Sequence, residues 1–354
     1  MTATPYLSIV GWARNDGYTE NYARRIEHAL RFLAKQLERF EVPSEIIVVE
    51  WNPPRGRPLL ADEFDSLGSS AHVTVRFLIA DARYHKGAKG WRKRGMHASN
   101  AANAGIRRAR GRFVLPKPLD TFFSDELVSR IARLDLDEQA IFRCDRLDVR
   151  FDDEEWLRLP DQMLLQALAS HTAQRHVRLS QSIDWNIRDL HTNACGDFML
   201  MTAARWAQVR GFPKDSTVLC LDADSIALHA AVAHGAREVC WPDECHVYKV
   251  MHSNTHVQRT ATVWKDWQRR LDHYLLTEKR RELAAKLRIW LDYPRRQVRG
   301  LEEIRAPSIE RNFVAKAIRF AQNDTSVATN DAHWGLAHEV LPERILMRGD
   351  WDRG

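Results

Sequence analysis

An α/β fold is what this sequence predicts: a mixed, mostly parallel sheet flanked by helices, followed by a helical C-terminal extension. Two observations carry that expectation. Apolar runs of strand length alternate with amphipathic, helix-length stretches to about residue 255, and beyond that point only helical periodicity continues. The expected division is therefore residues 1–255 and residues 256–354. With 354 residues, 44% hydrophobic and 28% charged, the chain can bury one large core or two moderate ones.

Leu7-Ser8-Ile9-Val10 is a short apolar run ending in Gly11, and Ile26, Leu30, Leu33, Leu37 and Phe40 then recur at steps of four and three. Val42-Pro43-Ser44 breaks that helix. Glu45–Glu50 is a β-branched run of strand length, stopped by Pro53 and Pro54, so the unit is βαβ with a right-handed parallel crossover. Further strands are expected over Val73–Ile79, Arg112–Leu115, Ala140–Val149 and Phe198–Met201. Helices are expected over Met96–Ala109, Ser124–Leu134 and Ser225–His234. Ser124 is placed to cap its helix, with Asp125 and Glu126 at the positive end of the dipole. In the extension, Trp264, Trp267, Leu271 and Leu275, then Leu283, Leu287, Trp290 and Leu291, follow a helical period.

Composition excludes several classes. No run of 18 apolar residues occurs, and Met1–Pro5 lacks a charged region followed by an apolar one, so a cytoplasmic protein is expected. The five cysteines form no Cys-x-x-Cys pair, which removes zinc-ribbon and thioredoxin-type readings. The net charge of +6 is local: residues 261–320 hold 15 Lys/Arg against 8 Asp/Glu. That stretch has no zinc-finger, RNP-type or leucine-zipper pattern, so no nucleic-acid partner is expected. Peripheral contact with anionic lipid through its basic helical face is the alternative to packing on the sheet domain. Gly-x-Gly-x-x-Gly, the P-loop, Gly-x-Ser-x-Gly and His-Glu-x-x-His are all missing.

Polar side chains remain at the strand ends, where open α/β sheets bind ligands. Ile9–Asp16, Val48-Val49-Glu50-Trp51-Asn52-Pro53-Pro54, Asn103–Gly111, Phe123–Leu127 and Asn193–Phe198 resemble, in order and spacing, the family 2 glycosyltransferases of GT-A fold. The likeness is to a branch with a Val-Glu-Trp-Asn-Pro-Pro second strand and covers roughly residues 5–255. It implies an enzyme that moves a sugar from a nucleotide-diphosphate sugar to an acceptor hydroxyl, inverting by direct displacement. Residue by residue, it implies that Asn15, Asp16 and Glu50 hold the nucleoside and that Asn103 and Gly105 lie under the diphosphate. Gly196 and Asp197 would face the acceptor or donor sugar. It further implies that Asp222, or alternatively Asp224, is the base that deprotonates the acceptor.

The family's metal pattern is broken here. Asp-x-Asp, whose carboxylates hold Mg²⁺ or Mn²⁺, is replaced by Pro118-Leu119-Asp120, leaving Asp120 and a late histidine, His252, as the metal candidates. Lys86, Lys89, Arg92, Lys93 and Arg94, five cations within nine residues, could instead clamp the phosphates, and Lys93 and Arg94 are taken as donor contacts. The competing reading is a nucleotide-sugar-binding protein that has lost catalysis. A third is a polyanion or membrane-surface binder acting through the basic segment. Of the tryptophans, Trp156, Trp206 and Trp264 are expected in cores, and Trp51, at a strand end, is the exception.

Overall fold

The computed structural model describes residues 4–17, 21–64, 67–88, 95–177, 190–192, 194–214, 223–251, 319–320, 323–326 and 328–347. The chain opens with β1 (Leu7–Ala13), α1 (Tyr22–Arg39), β2 (Ser44–Trp51), the short α2 (Leu60–Glu63) and β3 (Val73–Ala80). Next come α3 (Ala82–Lys86), α4 (Ala98–Arg107), β4 (Phe113–Pro116), β5 (Thr121–Phe123) and α5 (Asp125–Ala132). After these lie β6 (Ala140–Arg143), β7 (Asp145–Val149), α6 (Asp161–Ser170), β8 (Thr172–His176), β9 (Met201–Thr202) and α7 (Ala203–Val209). The last described elements are α8 (Ala223–Ala233), β10 (Arg237–Cys240), β11 (His246–Val250) and β12 (Glu343–Ile345).

Among the described residues the main sheet runs β12-β3-β2-β1-β4-β9, parallel through its four central strands and antiparallel at both edges. Alternation explains how one strand feeds two cores. Ile9, Ile46 and Val48 face Leu30, Leu33 and Leu37 of α1. Val10, Ile47 and Val49 face Ala101 and Ala104 of α4 on the other side. The small residues of α4 let it lie close to the sheet. Gly105 is at the closest point, where a Cβ would collide with Val10 and Val49. Ser124 caps α5 as expected, its hydroxyl accepting from the Leu127 N–H at 3.3 Å.

Two expectations are corrected. Ala140–Val149 is not one strand: the chain breaks at the buried Cys144, β6 pairing with β10 and β7 joining a separate sheet ordered β5-β11-β7-β8. Residues 328–347 are not a helical appendage. They return to the main domain, where Trp334 and Leu341 are buried in the α4-side core and β12 closes the sheet edge against β3. The helical periodicity at 264–291 lies outside the described residues.

Candidate functional site

Parallel register sets the site's position. Val10 pairs with Pro116 and Ala13 with Glu50, so β1, β2 and β4 end on one edge, and the segments leaving them are neighbours at strand spacing.

At the β1 and β2 ends, Arg14 is the organiser. Its Nε donates to the Asn52 carbonyl at 2.7 Å and its Nη1 to Asp16 Oδ2 at 2.6 Å. Asn52, held in the left-handed region at φ 52°, donates from Nδ2 to the Gly95 carbonyl at 2.8 Å. Gly95 touches the Arg14–Asp16 pair so closely that a Cβ would displace it. Asn15 donates to the Pro58 carbonyl at 3.1 Å, fixing the loop rather than facing outward. The structure thus gathers Asp16, Asn15 and Glu50, and adds Arg14, Asn52 and Gly95, which sequence reading missed as site residues.

Glu50 is unusual. It is fully buried, its Oε2 accepts from the Leu60 N–H at 2.9 Å, and its Oε1 has no hydrogen-bond partner among the described residues. Burial pushes its carboxyl up to about 7, with Asp62 and Glu63 adding to the rise against the Leu60 hydrogen bond. An orphaned buried acceptor is a costly feature, and such groups concentrate at sites of function.

The end of β4 is built differently. Lys117 is completely buried, its ammonium donating to the Thr121 carbonyl at 3.1 Å and standing 5.3 Å from the Phe123 ring centre. Burial pulls it down to about 7, opposed by Asp120 and Asp197. Because β9 runs antiparallel to β4, the segment before it delivers Asp197 beside Lys117. Asp197 meets Arg146 at 2.6 Å and Lys249 at 3.5 Å. Burial raises the Asp197 carboxyl, but Lys249 and Arg146 outweigh it and hold the group at about 2. Arg146 also reaches Asp148 at 2.8 Å, and His176 meets the other oxygen of Asp148 at 2.9 Å. Asp120 feels Arg25, Lys117 and Lys249 but makes no ion pair within 4 Å among the described residues.

Gly196 and Asp224 are brought together. Asp224 Oδ2 accepts from the Gly196 N–H at 2.7 Å and Oδ1 from the Ser225 N–H at 2.9 Å, in the first turn of α8. Both oxygens are occupied, so Asp224 ties the Gly196 turn to a helix start. Asn103 is likewise engaged: its Nδ2 donates to the Phe212 carbonyl and its Oδ1 accepts from the Phe212 N–H, both at 2.7 Å. With Gly105 packed on the sheet, both of these α4 residues are engaged by protein. Asp222, Lys93, Arg94 and His252 lie outside the described residues.

A cavity of about 500 Å³ opens on the α4 side of the β2 end, lined by Trp51, Tyr84, Asn100, Asn103, Lys214 and Trp334 among others. Trp51, the strand-end exception to the expectation of packed tryptophans, is itself fully buried, and its Nε1 donates to His85 Nδ1 at 3.1 Å. Trp156 and Trp206 are in cores as expected.

No family model matches the sequence, and no curated relative matches it. Among solved structures, the chain is similar to residues 1–349 of Staphylococcus aureus TarS at 11% identity. That likeness covers 89% of this chain and 80% of the other, with a TM-score of 0.45. The same TarS fragment in complex with UDP-GlcNAc gives 11% identity, 89% and 81% coverage and a TM-score of 0.46. A further S. aureus TarS structure, 49% of which is covered, gives 14% identity and 0.42. No helix among the described residues is long and apolar enough to cross a membrane.

Proposed function

We propose that this chain is a sugar-nucleotide-dependent glycosyltransferase of GT-A type, close to family 2, which transfers a sugar from a nucleoside-diphosphate sugar to an acceptor hydroxyl. The observation that carries the reading is the convergence, at one carboxyl edge, of the Arg14–Asp16–Asn52–Gly95 cluster with the orphaned Glu50 carboxyl and the charged end of β4. In this reading Asp16 and Glu50 accept hydrogen bonds from the nucleoside, whose hydroxyl or ring N–H supplies the donor that Glu50 Oε1 lacks. Arg14 fixes the loop that receives it.

The reaction is an in-line displacement at the anomeric carbon with inversion. The acceptor oxygen forms the new bond as the nucleoside diphosphate departs with the electron pair of the old one, and a carboxylate takes the hydroxyl proton. That base is assigned to Asp222, since both oxygens of Asp224 already accept backbone N–H groups.

The test is a thermal-shift screen of nucleotide sugars on the full chain, followed by donor hydrolysis. One donor raises the melting temperature and is slowly hydrolysed, and Asp222→Asn abolishes hydrolysis while the shift persists. Binding without turnover would instead support the catalytically degenerate reading. If no nucleotide sugar or nucleoside diphosphate shifts the melting temperature, the proposal falls.

A further inference from the structure

The end of β4 is where the resemblance implies a divalent cation, and the side chains described there do not fit one. Among the described residues no group of three His, Cys, Asp or Glu side chains could hold a metal ion. Two of the three carboxylates are already engaged: Asp197 by Arg146 and Lys249, and Asp148 by Arg146 and His176. The third, Asp120, stands in the field of Arg25, Lys117 and Lys249. Three carboxylates therefore face three fixed cations, Arg25, Arg146 and Lys249, with Lys117 and His176 adding positive charge whenever they are protonated. A divalent ion entering here would meet no net negative charge and, among the described residues, a single unengaged carboxylate.

The same arrangement suits an anion. Lys249 is the most accessible member, its half-buried side chain 23% accessible, against 14% for Arg146. Lys117 lies wholly buried beside it. Lys249, Lys117 and Arg146 thus stand close together, fixed by hydrogen bonds and ion pairs that cost no reorganisation when negative charge develops.

We infer that the chain carries its own counter-charge: Lys249, backed by Lys117 and Arg146, meets the diphosphate of the donor at the end of β4, and donor binding proceeds without a divalent metal. The inference rests on the glycosyltransferase reading and specifies how its leaving group is held. The neutral-to-acidic balance expected of a metal cradle is inverted by residues on three separate strands or strand ends. Lys117 follows β4, Arg146 lies on β7 and Lys249 on β11.

The experiment is isothermal calorimetry of the full chain against UDP, GDP, ADP, CDP and dTDP, each in excess EDTA and each with Mg²⁺ or Mn²⁺. One diphosphate is expected to bind with affinities that agree within about threefold in the two conditions. Lys249→Met then weakens it by about tenfold or more and Lys249→Arg restores it, as for a charge-assisted contact. Asp120→Asn tightens binding, because a carboxylate that holds no metal only repels the phosphates.

Binding that appears only with Mg²⁺ or Mn²⁺, or is lost in Asp120→Asn, overturns the inference and leaves the glycosyltransferase reading standing. Binding unchanged by Lys249→Met in a variant that melts like the parent also overturns it. If no diphosphate binds in either condition, the glycosyltransferase reading itself fails, and this inference with it. The EDTA comparison uses the unaltered protein, so a variant that does not fold leaves the test intact.

Discussion

The two halves of the sheet edge treat buried charge in opposite ways. At the end of β2, Glu50 is sealed in with an oxygen that none of the described residues satisfies, and its carboxyl is pushed up to about 7. At the end of β4, Asp197 is equally enclosed but held between two cations at about 2. The first arrangement costs stability and leaves an acceptor to spare. The second is internally matched and leaves no negative charge to spare. A folded protein keeps an unsatisfied group only where something else compensates for it, and the contrast suggests a ligand with a hydrogen-bond donor at one end and negative charge at the other.

The contrast can be broken most severely at its matched end. Arg146→Met removes the shared partner of Asp148 and Asp197, leaving two nearly buried carboxylates under-compensated; a loss of about 3–5 kcal/mol in denaturant unfolding is expected. The parent also has a defined acid limb. With a folded value of about 2 against 3.8, Asp197 contributes stability above pH 3.8 that disappears as the pH falls towards 2.

The orphaned end gives the opposite sign. Glu50 titrates at about 7 when folded against a reference of 4.5, so the folded chain binds the extra proton between those values and stability declines as the pH rises through them. Glu50→Gln should therefore be more stable than the parent at pH 8, by on the order of 3 kcal/mol, and no more stable at pH 4. Donor affinity should fall in the same variant. A gain in stability paired with a loss in binding sharpens the comparison, whereas a loss of both would make Glu50 purely structural.

Smaller effects test the frame between the two ends. Gly105→Ala drives a methyl into Val10 and Val49 and should cost about 1–3 kcal/mol by thermal or denaturant unfolding. Trp51→Phe removes the bond to His85 and part of a fully buried ring, leaving a small cavity, so about 1–3 kcal/mol is expected.

Much of the frame was legible in the sequence because it follows from periodicity. β1, α1 and β2 extend the predicted segments by only a few residues, since a strand covered on both faces must be continuously apolar and a helix on one face must repeat at three and four. The break at Cys144 was hidden because Ala140–Val149 is uniformly strand-like, and only pairing partners distinguish β6 from β7. β12 was hidden for the opposite reason: Glu343-Arg344-Ile345 is exposed and polar, and its place is set by the free edge of β3 rather than by its own composition.

The site divides similarly. Asp16 and Glu50 stand out in the sequence because acids at strand ends are conspicuous, whereas Lys117, Arg146 and Lys249 do not because isolated cations resemble solvated surface. A signal was available: Lys249 interrupts an apolar Val-Tyr-Lys-Val strand, and Lys117 follows the wholly buried β4.

The central claim is that the ends of β1, β2 and β4 receive one ligand together. Hydrogen–deuterium exchange of the full chain, with and without whichever nucleoside diphosphate binds, tests it most directly. The account predicts slowed exchange in residues 14–17, 50–53, 95–97 and 117–121 at once. Slowing confined to 331–336 and the α4 side, with the three strand ends unchanged, would contradict it.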